Sequence, residues 1–150
     1  MANVIPFSFR GALFSAQHDF KTGGNVFKLA LYEAGSGAPY STSSTAYTSG
    51  TANQVGTSGT GYSTGGNTLG SQAVASATAV ASVDFADSEW TSATFGAAYG
   101  VIYNSSTVDG AADRLVVVLD FGGTKTCTNG TFKVSFPNPA TPGDAILSMA

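Results

Sequence analysis

Read for the alternation of apolar and polar residues, the chain predicts strands over most of its length. VFKLALY, Val26 to Tyr32, sets Phe27, Leu29 and Leu31 on one side of an extended segment and Lys28 on the other, the pattern of a half-buried strand. ATFGAAYGVIY, Ala93 to Tyr103, puts Phe95, Ala97, Tyr99, Val101 and Tyr103 on one face. Inside a helix its Gly96 and Gly100 would each cost about 1 kcal/mol relative to Ala, whereas in a strand they mark places where a neighbouring chain approaches closely. RLVVVLDF, Arg114 to Phe121, is almost continuously apolar and β-branched, which predicts a strand covered on both faces at the centre of a sheet. Gly122 to Gly130 reads as a hairpin loop ending in the turn signal Asn129-Gly130. In the TFKVSF that follows, Phe132, Val134 and Phe136 alternate with Thr131, Lys133 and Ser135. The Pro-rich tail ends in a short apolar stretch around Ile146 and Leu147 that would close a sheet edge.

Three segments are less direct. GALFSAQHDF carries Leu13, Phe14 and Phe20 at helical spacing, predicting one short N-terminal helical element over Gly11 to His18. QAVASATAVAS, Gln72 to Ser82, is Ala-rich and so has helix propensity. Its alternation is strict, however, with Ala73, Ala75, Ala77, Ala79 and Ala81 on one side, and this favours a single strand whose small face lies against another backbone. Gly35 to Gly70 is mostly Gly, Ser and Thr, the composition of a flexible linker. Yet Tyr40, Tyr47, Val55, Tyr62 and Leu69 recur every seven or eight residues between turn formers, a spacing better explained by short extended pieces each pinned by one buried large side chain. The expected architecture is all-β, a two-layer antiparallel β-sandwich, with a β-barrel as the alternative. The 150 residues fit one domain, 1–150, with the clearest strand pattern lying between the N-terminal segment 1–25 and the tail 137–150.

Charge changes this picture mainly by exclusion. Only 10% of residues are charged, against about 25% in an average globular domain, and the net charge is -3, while 11% are aromatic, so the composition is that of a folding chain with an uncharged surface. The six Lys and Arg are scattered singly and form no stripe to match a row of phosphates, which argues against direct nucleic-acid binding. The opening residues lack the pattern of a secretion signal, and no apolar run reaches the ~18 residues of a membrane span, so a soluble chain without a conventional leader is expected. Cys127 is the only cysteine, which rules out an internal disulfide.

Candidate chemistry is sparse. Gly56 to Leu69, GTSGTGYSTGGNTL, supplies the glycines of a phosphate loop, but Tyr62 and Ser63 stand where Lys and Ser/Thr belong, and Thr64 breaks the dinucleotide pattern. A turn segment with Tyr62 as anchor and Gly65-Gly66 reversing the chain is the reading that survives. His18 is the only histidine and would serve as a capping or surface residue; pairing with Cys127 has no local support. Asp84, Asp87 and Glu89 form the densest acidic group but lack the ordered pattern of a calcium loop, and one His and one Cys make poor material for zinc. Trp90 is expected in the core with its ring nitrogen hydrogen-bonded rather than as a sugar platform. The sequons at Asn104 and Asn129 carry no weight in a chain read as lacking a leader. No catalytic, cofactor-binding or metal site is therefore expected, and no interface residue is marked.

Four stretches taken in order, LALYEAG (Leu29 to Gly35), GTGYSTGGNTL (Gly59 to Leu69), SEWTSATFGAAYGVIYN (Ser88 to Asn104) and LVVVLDFGGTKTCTNGTFKVSF (Leu115 to Phe136), resemble a family of small virion structural proteins of tailed bacteriophages. The resemblance implies a β-sandwich part of the particle and no enzymatic activity. As expectations, it points to a capsid decoration or cement protein in the virion, assembled in the bacterial host cytoplasm, with the major capsid protein, other virion proteins and copies of itself as partners. A tail- or fibre-associated module recognising a host surface glycan is the alternative, favoured if Tyr40, Tyr47 and Tyr62 share an exposed face.

Overall fold

The computed structural model describes residues 3–35, 37–77, 80–137 and 145–149. Among the described residues, one helix, α1 (Phe7–Phe14), precedes seven strands: β1 (Phe27–Tyr32), β2 (Asn67–Thr68), β3 (Ala73–Ala77), β4 (Val80–Asp84), β5 (Ser88–Asn104), β6 (Arg114–Val134) and β7 (Leu147–Met149). They form two antiparallel sheets, a four-stranded one in the order β2-β1-β5-β6 and a three-stranded one in the order β3-β4-β7. The fold is all-β and sandwich-like, and the barrel alternative is set aside because the sheets do not close on one another.

The main core lies on one face of the larger sheet, where Phe27, Leu29, Leu31, Trp90, Phe95, Ile102 and Val117 meet Phe9 of the helix and half-buried Val83 and Leu147 of the smaller sheet. The opposite face carries a second cluster of Ala30, Tyr32, Val101, Tyr103, Leu115 and Val118, covered by Val4, Tyr40 and Tyr47. Strand β1 is thus buried on both faces rather than half-buried, because the Gly/Ser/Thr segment doubles back over a side that alternation leaves for solvent.

That segment also seals the outer edge of β1. The Val55 N–H donates to the Leu31 carbonyl and the Glu33 N–H to the Asn53 carbonyl. The Tyr62 hydroxyl accepts the Leu31 N–H at 3.0 Å, β2 pairs with Lys28 and Leu29, and the Leu69 N–H donates to the Phe27 carbonyl at 2.8 Å. An exposed strand edge is a template for unwanted pairing, and this one is covered piece by piece. Tyr47, Val55, Tyr62 and Leu69 are all buried, and Gly65 and Gly66 both take positive φ, so the anchored-turn reading of Gly56 to Leu69 agrees with the fold.

Several expectations are corrected. The helix begins at Phe7, behind Pro6 in an extended conformation, and ends before Ser15. Ala16 at φ 54° then turns the chain, so Gln17 and His18 lie outside it. Gln72 to Ser82 is not one strand: β3 and β4 are antiparallel neighbours with Ala77 opposite Val80, and Thr78 and Ala79 lie outside the described residues. RLVVVLDF belongs to β6, the last strand of its sheet rather than its centre. Its burial is supplied instead by Val4, which exchanges both backbone hydrogen bonds with Val118, and by Thr45, whose carbonyl accepts the Leu115 N–H.

Gly122 to Gly130 is not a hairpin loop either. It runs inside the 21-residue β6, paired with β5 through Ala97↔Lys125, Gly96↔Thr126 and Phe95↔Cys127. The glycines and Asn129 serve as bulges, with Gly122 at φ 70° and Asn129 at φ 47° absorbing register shifts against β5. One such shift, between Ala97 and Tyr99, also breaks the single face expected for β5: Phe95 and Ala97 join the main core, whereas Tyr99, Val101 and Tyr103 join the second cluster. Side chains rather than a backbone fill the space beside Gly100, where Leu29 Cδ1 and Phe121 Cζ each lie 3.0 Å from a Cβ position. The expected closing of a sheet edge by the tail is met by β7, which pairs with β4.

Candidate binding cleft

The residues that carry chemistry are mostly engaged by the fold itself. His18 is buried, not at the surface: it is 9% exposed and its ring sits among Phe9, Phe20 and Phe27 at centroid distances of 5.0, 5.9 and 6.3 Å. The helix brings Phe9 over it, and β1 supplies Phe27 from below. Asn104, at the end of β5, is fully buried and holds this corner together. Its Oδ1 accepts the Ser106 N–H, which orients Nδ2 toward the Gln17 carbonyl, Asn25 Oδ1 and His18 Nδ1 at 3.3, 2.9 and 3.2 Å. With Nδ1 accepting, the imidazole proton belongs on Nε2, which has no hydrogen-bond partner among the described residues.

Burial, reinforced by the positive charge of Arg114, lowers the His18 pKa from 6.5 to about 4. Between those values the unfolded chain binds more protons than the folded one, so His18 favours the fold fully above pH 6.5 and progressively less down to pH 4. The loss should amount to about 2 kcal/mol after allowance for partial screening. Urea denaturation at pH 7 and pH 4 should show it in the wild type and not in His18→Phe, whose ring does not titrate. Equal pH dependence in both proteins would overturn this account.

Cys127 lies on β6 opposite Phe95, half-buried, in the wall of a separate surface cavity of about 610 Å³ that also includes Phe121, Phe132 and Phe136. The fold does not bring it to His18. Lys133 on β6 takes both Asp87 and Glu89, at 3.0 and 3.1 Å, and Asp87 also accepts the Phe136 N–H at 2.8 Å. That backbone bond, followed by Lys133, holds the Asp87 carboxyl below its ordinary pKa. Burial raises the Asp84 pKa, and its Oδ1 has no hydrogen-bond partner among the described residues. Trp90 is in the core as expected, 3% exposed, but its Nε1 has no partner among the described residues, in place of the expected bond.

What the alternation of strands did not reveal is a cleft of about 460 Å³ between α1 and the smaller sheet. Phe9 and Leu13 form its helical wall, Ala81, Val83 and Leu147 its sheet wall, and Phe20 and His18 contribute to the interior. The loop between α1 and β1 is tied to the start of β3 by Gln72, whose Nε2 donates to the Lys21 carbonyl at 2.6 Å. Exposed Ile5, Val74 and Met149, the last two 52% and 64% exposed, line the cleft together with Arg10 and Lys21. Lys21 is paired with Asp19 at 3.5 Å. Arg10 stands over the Phe7 ring at 5.2 Å and has no carboxylate partner among the described residues. The helical spacing of Phe9 and Leu13 was the sequence signal for one wall; the other requires the sheet to be in place. Comparison with family models, with curated proteins and with solved structures finds no match to this chain.

Proposed function

We propose that this chain is a non-enzymatic structural protein of a bacteriophage particle, a capsid decoration protein that binds the assembled shell in many copies. The observation that carries the reading is the use made of the aromatic segment. Tyr47 and Tyr62 are buried and serve to cover a sheet face and a strand edge, so they are not presented as a glycan-stacking surface. Of the groups that a hydrolytic or transfer reaction would recruit, Asp87 and Glu89 are paired with Lys133, His18 is held through Nδ1 by Asn104, and Cys127 lies in a cavity separate from His18.

A domain with 10% charged residues presents Ser, Thr and Gly to its neighbours, which suits repeated contacts with the major capsid protein and with adjacent copies of itself. Binding only the assembled shell would stabilise that state by mass action. The test is to quantify the chain against the major shell protein in purified virions and to heat particles made with and without it. Near-stoichiometric abundance, with intact assembly but a lower temperature of genome release in its absence, is expected. A few copies per particle would point instead to a tail or fibre role in host recognition. Absence from virions would end the proposal.

A further inference from the structure

The cleft between α1 and the smaller sheet has the makings of a ligand site independent of any role in a particle. Its volume, about 460 Å³, falls within the roughly 300–1,000 Å³ of small-molecule sites. Its walls are Phe and aliphatic side chains, and the exposed Ile5, Val74 and Met149 extend that apolar surface outward. A cleft with mostly apolar walls and a few polar groups at its margin is the usual form of a small-molecule site.

The charge along the lining narrows the occupant. Asp19 and Lys21 neutralise one another, which leaves the Arg10 guanidinium, among the described residues, as the charge of the lining without a carboxylate partner. His18 adds an interior nitrogen, Nε2, that has no hydrogen-bond partner among the described residues. An apolar body with one anionic end fits this distribution; a cationic or zwitterionic head would not be matched.

We propose that the cleft binds a linear alkyl carboxylate, with its chain between Phe9, Leu13, Val83 and Leu147 and its carboxylate at Arg10. Each methylene removed from water should tighten binding about fourfold until the cleft is full. The carboxylate pairs with an exposed guanidinium, so removing that charge should weaken binding no more than about fivefold.

The experiment is calorimetric titration of the full chain with octanoate, decanoate and dodecanoate below their micellar concentrations, with dodecyltrimethylammonium as the probe of opposite charge. Expected are saturable 1:1 binding that tightens with chain length, a preference for the carboxylate over the ammonium, and a threefold to fivefold loss in Arg10→Gln. Ala81→Phe, which puts a ring into the cleft from a half-buried position, should abolish binding while thermal unfolding confirms that the variant is folded. Val83→Phe serves the same purpose if Ala81→Phe fails to fold. No saturable binding, binding retained in a folded cleft-filling variant, or equal affinity for the two head groups would overturn the proposal. So would a dimer in solution that dissociates on introducing Val74→Glu, since a second copy would then be what covers the cleft.

Discussion

Gly66→Ala should destabilise the fold by at least about 4 kcal/mol and lower its melting midpoint by roughly 8–16 °C. Gly66 has φ +73°, and an added Cβ would fall on the carbonyl oxygen of Leu29 and 2.8 Å from the Ala30 Cα. Neither side can retreat: Leu29 and Ala30 are both 0% exposed and belong to a strand hydrogen-bonded along both edges. Left-handed backbone costs an L-residue about 1–2 kcal/mol by itself, and the collision with backbone supplies the rest. Gly59→Ala isolates the first contribution, since Gly59 has φ +69° with nothing within 4 Å of a Cβ, and should cost only about 1–2 kcal/mol. Thermal unfolding followed by circular dichroism separates the two. Equal small losses would mean that Gly56 to Leu69 is not seated against β1.

Phe27→Ala should cost about 3–5 kcal/mol, the range for emptying an aromatic site in a core that cannot collapse. Phe27 is 0% exposed, stacks on Phe20 at 4.4 Å, and meets Phe85 at 5.5 Å. Its neighbour Val26 is 46% exposed, so Val26→Ala should fall within about 0.5 kcal/mol of wild type. A second readout distinguishes loss of this aromatic cluster from general weakening. Phe27 flanks His18, so water entering the vacated space should move the His18 pKa up from about 4 toward 6.5 in an NMR titration. A destabilised variant with an unmoved His18 pKa would show that Phe27 does not control the solvation of the imidazole.

The strands at Phe27–Tyr32 and through Ala93 to Tyr103 were legible because alternation and β-branching act over neighbouring residues, and the same local rule found the buried anchors Tyr47, Val55, Tyr62 and Leu69. The rule failed where a single αL residue resets it. Asn129-Gly130 has the composition of a hairpin turn, but with β5 there to pair the residues before and after it, the same φ > 0 preference at Asn129 makes a bulge within β6. The bulge register at Ala97 to Tyr99 moved Tyr99, Val101 and Tyr103 of the expected β5 face to the other side of the sheet. For His18, one polar residue beside Asp19 gave no local sign that Phe9, Phe20 and Phe27 would close around it. Arg10 and Asn104 went unmarked for the same reason, since their partners are distant in sequence or, for Arg10, an open cleft.

By itself the sequence determined the all-β class, the positions of the principal strands and the character of the long Gly/Ser/Thr segment as anchored turns. These follow from side-chain periodicity and backbone preference, which are properties of near neighbours. Tertiary structure alone decided which strands lie at an edge, which face of β1 is covered, where the lone histidine resides and that α1 stands off the smaller sheet to leave a cleft. Those outcomes depend on contacts such as Val4 with Val118 and Gln17 with Asn104, between residues more than eighty positions apart, whose pairing no local pattern encodes.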